Sequence, residues 1–129
     1  MHQSYDQNAV QAILDGSSTH LFKVFDDSIC LVNDEHTFVA TVSPSDIDGV
    51  HKLYIAFTEL SDEAASDCVK DVLTWLNDFA DIKQMIACVE LDNTSSYYAI
   101  SKAGFYLVGV ISTPKYDVAI FQYRFEVDL

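Results

Sequence analysis

Few residues in this chain have the type and spacing to do chemistry. His51 is a candidate general base, but it opens the apolar stretch VHKLYIAF, where a partly buried or surface histidine is the plainer reading. Asp26-Asp27, and Asp46 with Asp48, read as carboxylate pairs, yet they sit in loop-like sequence where Asp is expected for backbone reasons. None of the four histidines has a Cys or carboxylate at ligand spacing, so no metal site is expected. Cys30, Cys68 and Cys88 are odd in number, lie in apolar neighbourhoods and form no CxxC, which marks them as buried free thiols. There is no GxSxG and no Walker loop. What remains is Asp92-Asn93-Thr94-Ser95, a run of side-chain oxygens placed to cap a helix.

The elements around that run follow from its flanks. Met85-Ile86-Ala87-Cys88-Val89 is a short apolar run that suits a strand buried on both faces. A short helix after Asn93 runs to about Ala103 and stops at Gly104. Residues 105–111 are apolar throughout and read as the next strand. Upstream, the long helix is capped by Ser61, with Asp62 and Glu63 at the positive end of its dipole and Ala65, Cys68, Val69, Val72, Leu73, Leu76 and Phe79 at helical spacing. Before it come a helix over residues 7–14, weak alternation over 20–25, strands over 28–32 and 36–42 around an Asn33-Asp34-Glu35 turn, and a strong strand over 50–57. A final strand covers 118–127, with Phe121, Tyr123 and Phe125 on one face.

Composition bounds the rest. A chain of 129 residues, half of them apolar, is read as one domain with one sizeable core, spanning residues 1–129. No apolar run approaches the roughly 20 residues that cross a bilayer, and the first six residues lack the basic start of a signal peptide, so a soluble protein inside a cell, or in a particle made there, is expected. Twenty acidic residues against seven basic ones give a net charge of −13, with Arg124 the only arginine. Nucleic acid, acidic membranes and phosphate-rich ligands are poor partners for such a surface.

The pattern of strand, Asn93, Ser96 three residues on, then Gly104-Phe105 and a strand containing Gly109 resembles the C-terminal half of the GNAT superfamily of N-acetyltransferases. The resemblance implies an α/β (α+β) fold with a mixed, mostly antiparallel central sheet flanked by helices, shortened at the N-terminus. It covers residues 28–127. It also implies where acetyl-CoA is held, at the junction of the 50–57 strand and the long helix. The family usually carries Arg or Gln there, two residues, Gly, one residue, then Gly or Ala, since glycines let backbone N–H groups approach a pyrophosphate. This chain reads Phe57-Thr58-Glu59-Leu60-Ser61-Asp62-Glu63-Ala64-Ala65, with neither glycine nor base. Many members place a proton-donating tyrosine seven residues after the asparagine, where this chain has Ile100; Tyr97 and Tyr98 point elsewhere on the helix.

Within that superfamily the chain looks most like the small GNAT-like proteins of tailed bacteriophages, some of them internal virion or head-assembly proteins. The resemblance therefore implies a catalytically silent GNAT-fold protein without a cofactor, acting through a protein partner as a virion or assembly component or a host-factor binder. Tyr116 and Tyr123, in the aromatic C-terminal region, are the candidate contact residues. An N-acetyltransferase with an atypical cofactor loop is the alternative, with Phe57, Thr58 and Asn93 holding acetyl-CoA. A second alternative is an acidic mimic of nucleic acid that occupies a basic DNA-handling protein.

Overall fold

The computed structural model describes residues 1–3, 6–17, 19, 21–24, 27–79 and 81–125. In chain order the elements are β1 (His2–Gln3), α1 (Gln7–Gly16), β2 (Ile29–Val32), β3 (Phe38–Pro44), β4 (Val50–Phe57), α2 (Asp62–Leu76), β5 (Gln84–Glu90), α3 (Thr94–Lys102), β6 (Tyr106–Ser112) and β7 (Asp117–Arg124). The strands form one sheet in the order β1-β2-β3-β4-β5-β7-β6. Every pairing is antiparallel except β4 with β5, which α2 joins as a crossover. This is the mixed, mostly antiparallel sheet with flanking helices that the resemblance implies.

The helices start and stop where local chemistry dictates. Asp6 caps α1 by accepting from the N–H groups of Asn8 and Ala9 at 3.0 and 3.3 Å. Ser61 Oγ accepts from Ala64 N–H at 3.1 Å and starts α2, whose buried stripe is Ala65, Val69, Val72, Leu73 and Leu76. Asn93 Oδ1 accepts from Ser96 N–H at 3.3 Å and starts α3. Gly104 then turns the chain at φ +108°, a conformation that an L side chain rarely adopts. Helices α2 and α3 cover one face of the sheet over Phe38, Leu53, Met85 and Phe121, all at most 1% exposed. Helix α1 lies on the other face, where Ile13 packs on Val32, Val39 and Ala56.

Several expectations need correction. Residues 21–24 form no strand: the Lys23 carbonyl accepts from Thr41 Oγ1 at 2.7 Å, so the segment is tied across the sheet by a side chain instead of a ladder. His20, Phe25 and Asp26, which complete that expected strand and turn, lie outside the described residues. Strand β1 pairs with β2 and carries no sequence pattern because it is two residues long. Strand β5 alternates rather than being buried on both faces, since α1 does not reach over Ile86 and Cys88. Phe79 lies beyond the end of α2 and stacks on Trp75 at 5.2 Å. Strand β7 ends at Arg124, with residues 126 and 127 outside the described set.

Candidate functional site

Pairing of β4 with β5 runs from Val50 opposite Gln84 to Leu53 opposite Ala87 and stops. Beyond that point β4 stays with β3 to Phe57 and β5 stays with β7 to Glu90, so the two parallel strands diverge and a wedge opens between residues 54–57 and 88–90. The chain fills this wedge itself. Thr19 and Leu21 enter it from the segment after α1 and meet Tyr54, Cys88, Glu90 and Ile100, leaving about 10 Å³. That is room for one water at most.

The polar groups in the wedge are partnered or neutral. Thr19 Oγ1 donates toward both carboxylate oxygens of Glu90, at 3.4 and 3.5 Å, and Glu90 is 2% exposed. Burial pushes the Cys88 thiol up from its ordinary range, with Lys52 and Lys23 pulling it partly back. The Tyr54 phenol is also raised, by burial and then by Cys88. Both shifts favour the protonated form.

At the mouth of the wedge lies a shallow cleft of about 280 Å³, lined by Gly16, Ser17, Phe57, Thr58, Asn93 and Ser96 among others. The expected trio Phe57, Thr58 and Asn93 is thus brought together. The strand end fixes Phe57, stacked on Phe38 at 6.4 Å, and Thr58, whose N–H donates to the Thr37 carbonyl at 2.9 Å. The end of α1 closes down on it: a Cβ on Gly16 would stand 2.6 Å from Thr58 Oγ1. The side-chain oxygen of Asn93 is committed to capping α3.

Glu59 follows with φ +57°, a left-handed residue at the place where glycine is the cheap choice. With Asp62, Glu63 and Asp67 it puts four exposed carboxylates around the start of α2. One like-charge pair at contact distance costs on the order of 1 to 4 kcal/mol between bulk water and a protein surface, whereas a helix N-terminus gives an anion about 1 kcal/mol.

The remaining sequence candidates lie elsewhere. Tyr116 is half-buried in the β6–β7 turn, its N–H donating to Thr113 Oγ1 at 3.1 Å. Tyr123 sits toward the opposite end of β7, half-buried between Phe105 and Phe125 at ring separations of 5.3 and 5.1 Å. The two tyrosines are therefore not one patch. Tyr97 packs edge-on against Phe121 at 5.0 Å, and Ile100 is fully buried in the wedge. His51 is six residues from Phe57 along β4, roughly 20 Å away in an extended strand. Thr19, Leu21 and Glu90 carry the wedge and were not legible as a group. The one signal was Glu90 itself, a carboxylate ending an apolar strand.

Ligand pockets run to roughly 300–1,000 Å³. The cleft lined by Phe57, Thr58 and Asn93 lies just below that range, the wedge behind it leaves about 10 Å³ beside Thr19 and Leu21, and the loop at the start of α2 is acidic.

No family profile matches the sequence, and no curated protein matches it by sequence. Solved structures do match. A GNAT-family acetyltransferase from Streptococcus pneumoniae aligns over 97% of this chain and 98% of its own, with a TM-score of 0.70 at 10% identity. The ribosomal-protein-S5-alanine acetyltransferase from Vibrio fischeri aligns with a TM-score of 0.66 at 11% identity, over 78% of this chain and 63% of its own, so this chain spans less than two thirds of that enzyme. An aminoglycoside acetyltransferase solved with coenzyme A aligns with a TM-score of 0.63 at 16% identity, over 77% and 67%. At such identities the likeness is one of architecture: the chain has the GNAT acetyltransferase fold.

Proposed function

We propose that this is a catalytically silent GNAT-fold protein that binds no acetyl-CoA and works through contacts with other proteins, as a virion or assembly component or a host-factor binder. The observation that carries the reading is the filled wedge between β4 and β5, where Thr19 bonds to the buried Glu90 and about 10 Å³ is left. The acidic, glycine-free loop from Glu59 to Asp67 supports it independently, because it opposes a polyphosphate at the helix end that the fold usually offers. Tyr116 and Tyr123 are the first residues to probe for partner contacts. The phage assignment rests on the sequence resemblance alone.

The test is a thermal-shift and calorimetric titration with acetyl-CoA and CoA, run beside a transfer assay with polyamine and lysine-peptide acceptors. The expected result is no stabilisation and no heat up to about 1 mM ligand, with transfer at the uncatalysed rate. Stabilisation at sub-millimolar ligand, or acceptor-dependent transfer, overturns the reading in favour of an acetyltransferase with an atypical loop.

A further inference from the structure

Helix α1 covers only part of its face of the sheet. It packs on β3 and β4, with Ile13 against Val39 and Ala56, while α2 and α3 lie on the opposite face. Among the described residues, β5, β7 and β6 therefore have no helix packed over them on the α1 side. Strand alternation and register lay out what stands there: Gln84 beside Arg124, Lys52 in line with Ile86, Gln122 and Tyr106, and Cys88 beside Ile120. Ile86, Cys88 and Ile120 are half-buried, and Tyr106 is 47% exposed.

Two features set this area apart. The first is the sign of its charge. Lys52 and Arg124 are exposed on it, and Lys23 stands at its border, near enough that it acts with Lys52 on the Cys88 thiol. These are three of the seven basic residues in a chain of net charge −13. Glu90, the carboxylate that strand alternation puts on this side, is 2% exposed and bonded by Thr19. The second feature is the direction of its hydrogen bonds. Tyr106 Oη donates to Gln122 Oε1 at 3.0 Å, and Gln122 Nε2 donates to Gln84 Oε1. The row thus ends in the amide N–H groups of Gln84, beside Arg124. Cations and donors suit an acceptor-only group, which is what an ionised carboxylate is.

We infer that this half of the sheet face docks an acidic segment of a partner protein, its carboxylates on Lys52, Arg124 and Gln84 and its aliphatic side chains on Ile86 and Ile120. The inference rests on the reading that the protein works through protein contacts, and it supplies the partner's chemistry. Lys52 and Arg124 lie on strands two apart, on the order of 10 Å between backbones, with Ile86 on the strand between. One small anion does not span that distance, whereas an extended segment crosses it in about three residues. A nucleic acid carries a charge at every nucleotide, which a molecule of net charge −13 opposes. The acidic remainder of the surface repels an acidic segment as well, so repulsion orients the segment onto this face.

The test is an amide-resolved NMR titration of the full chain with an end-blocked peptide of about 12 residues alternating Glu and Leu, to about 1 mM, beside the same peptide with Lys for Glu. The expected result is saturable shifts at Lys52, Ile86, Cys88, Ile120 and Gln122 with the Glu peptide alone, and binding at least tenfold weaker in the Lys52→Glu, Arg124→Glu double variant. A Lys70→Glu, Lys102→Glu variant, altered on α2 and α3, makes the same change in net charge and should bind within about twofold of the wild type. All four side chains are exposed, and an unchanged thermal midpoint verifies that each variant folds. No saturable shift, an equal response to the Lys peptide, or an equal loss in the two variants overturns the inference. So does self-association that the first variant abolishes, because the occupant is then a second copy. Acetyl-CoA added to the same sample separates the two readings: saturable shifts at Thr58 and Asn93 contradict the silent reading whether or not the peptide binds.

Discussion

Asn93 illustrates how one side chain is read twice. Its spacing to Gly104-Phe105 is a family pattern, while its geometry is that of an N-cap holding Ser96 N–H at 3.3 Å. Asn93→Ala should therefore destabilise the fold by about 0.5–2 kcal/mol, and Asn93→Ser by much less, checked by urea unfolding. Glu59 holds a left-handed backbone without being glycine, at φ +57°. Glu59→Gly should stabilise by about 0.5–1 kcal/mol, because relief of the left-handed cost outweighs the entropy lost from a more flexible unfolded chain. Burial raises all three thiols, and Cys68 goes from 9.0 to about 11, with Asp71 and Glu35 adding to the effect of burial. A raised folded-state value means the contribution is complete below the unfolded value near 9 and is lost as pH rises through the folded one. The thermal midpoint should hold through neutral pH and fall from about pH 9 to 11, and the thiols should react slowly with disulfide reagents at pH 7.

Elements with a long repeating pattern were legible, and those fixed by distant contacts were not. Strand β4, helices α2 and α3 and the capping residues Ser61 and Asn93 follow from periodicity and capping chemistry. Strand β1 has too few residues to show a period, and residues 21–24 take their place from one bond to Thr41, 18 positions away. The wedge was hidden for the same reason: Thr19 meets Glu90 across 71 positions, and no local pattern records that. Residues 105–111 read as a strand but not as an exposed edge, because an apolar run looks alike in a core and at an interface. The core under α2 makes a firm prediction. Leu76 is fully buried among the sheet residues, so Leu76→Ala should cost about 2–5 kcal/mol in the same unfolding assay.

At the scale of the whole molecule, charge and the closed wedge act together. With a net charge of −13, the fold is held by its apolar core and by backbone pairing against its own repulsion. Added salt should therefore raise the thermal midpoint, whereas an acidic decoy bound to a basic protein would lose affinity under the same change. Among the described residues no helix is long and apolar enough to cross a membrane. The proposal that no acetyl-CoA binds rests on Thr19 and Leu21, after α1, lining the gap between β4 and β5. The most direct measurement is an amide-resolved NMR titration with CoA to about 1 mM. The account predicts that the amides of Tyr54, Thr58, Cys88, Glu90 and Asn93 stay in place; saturable shifts at those residues, with Thr19 and Leu21 displaced, would contradict it.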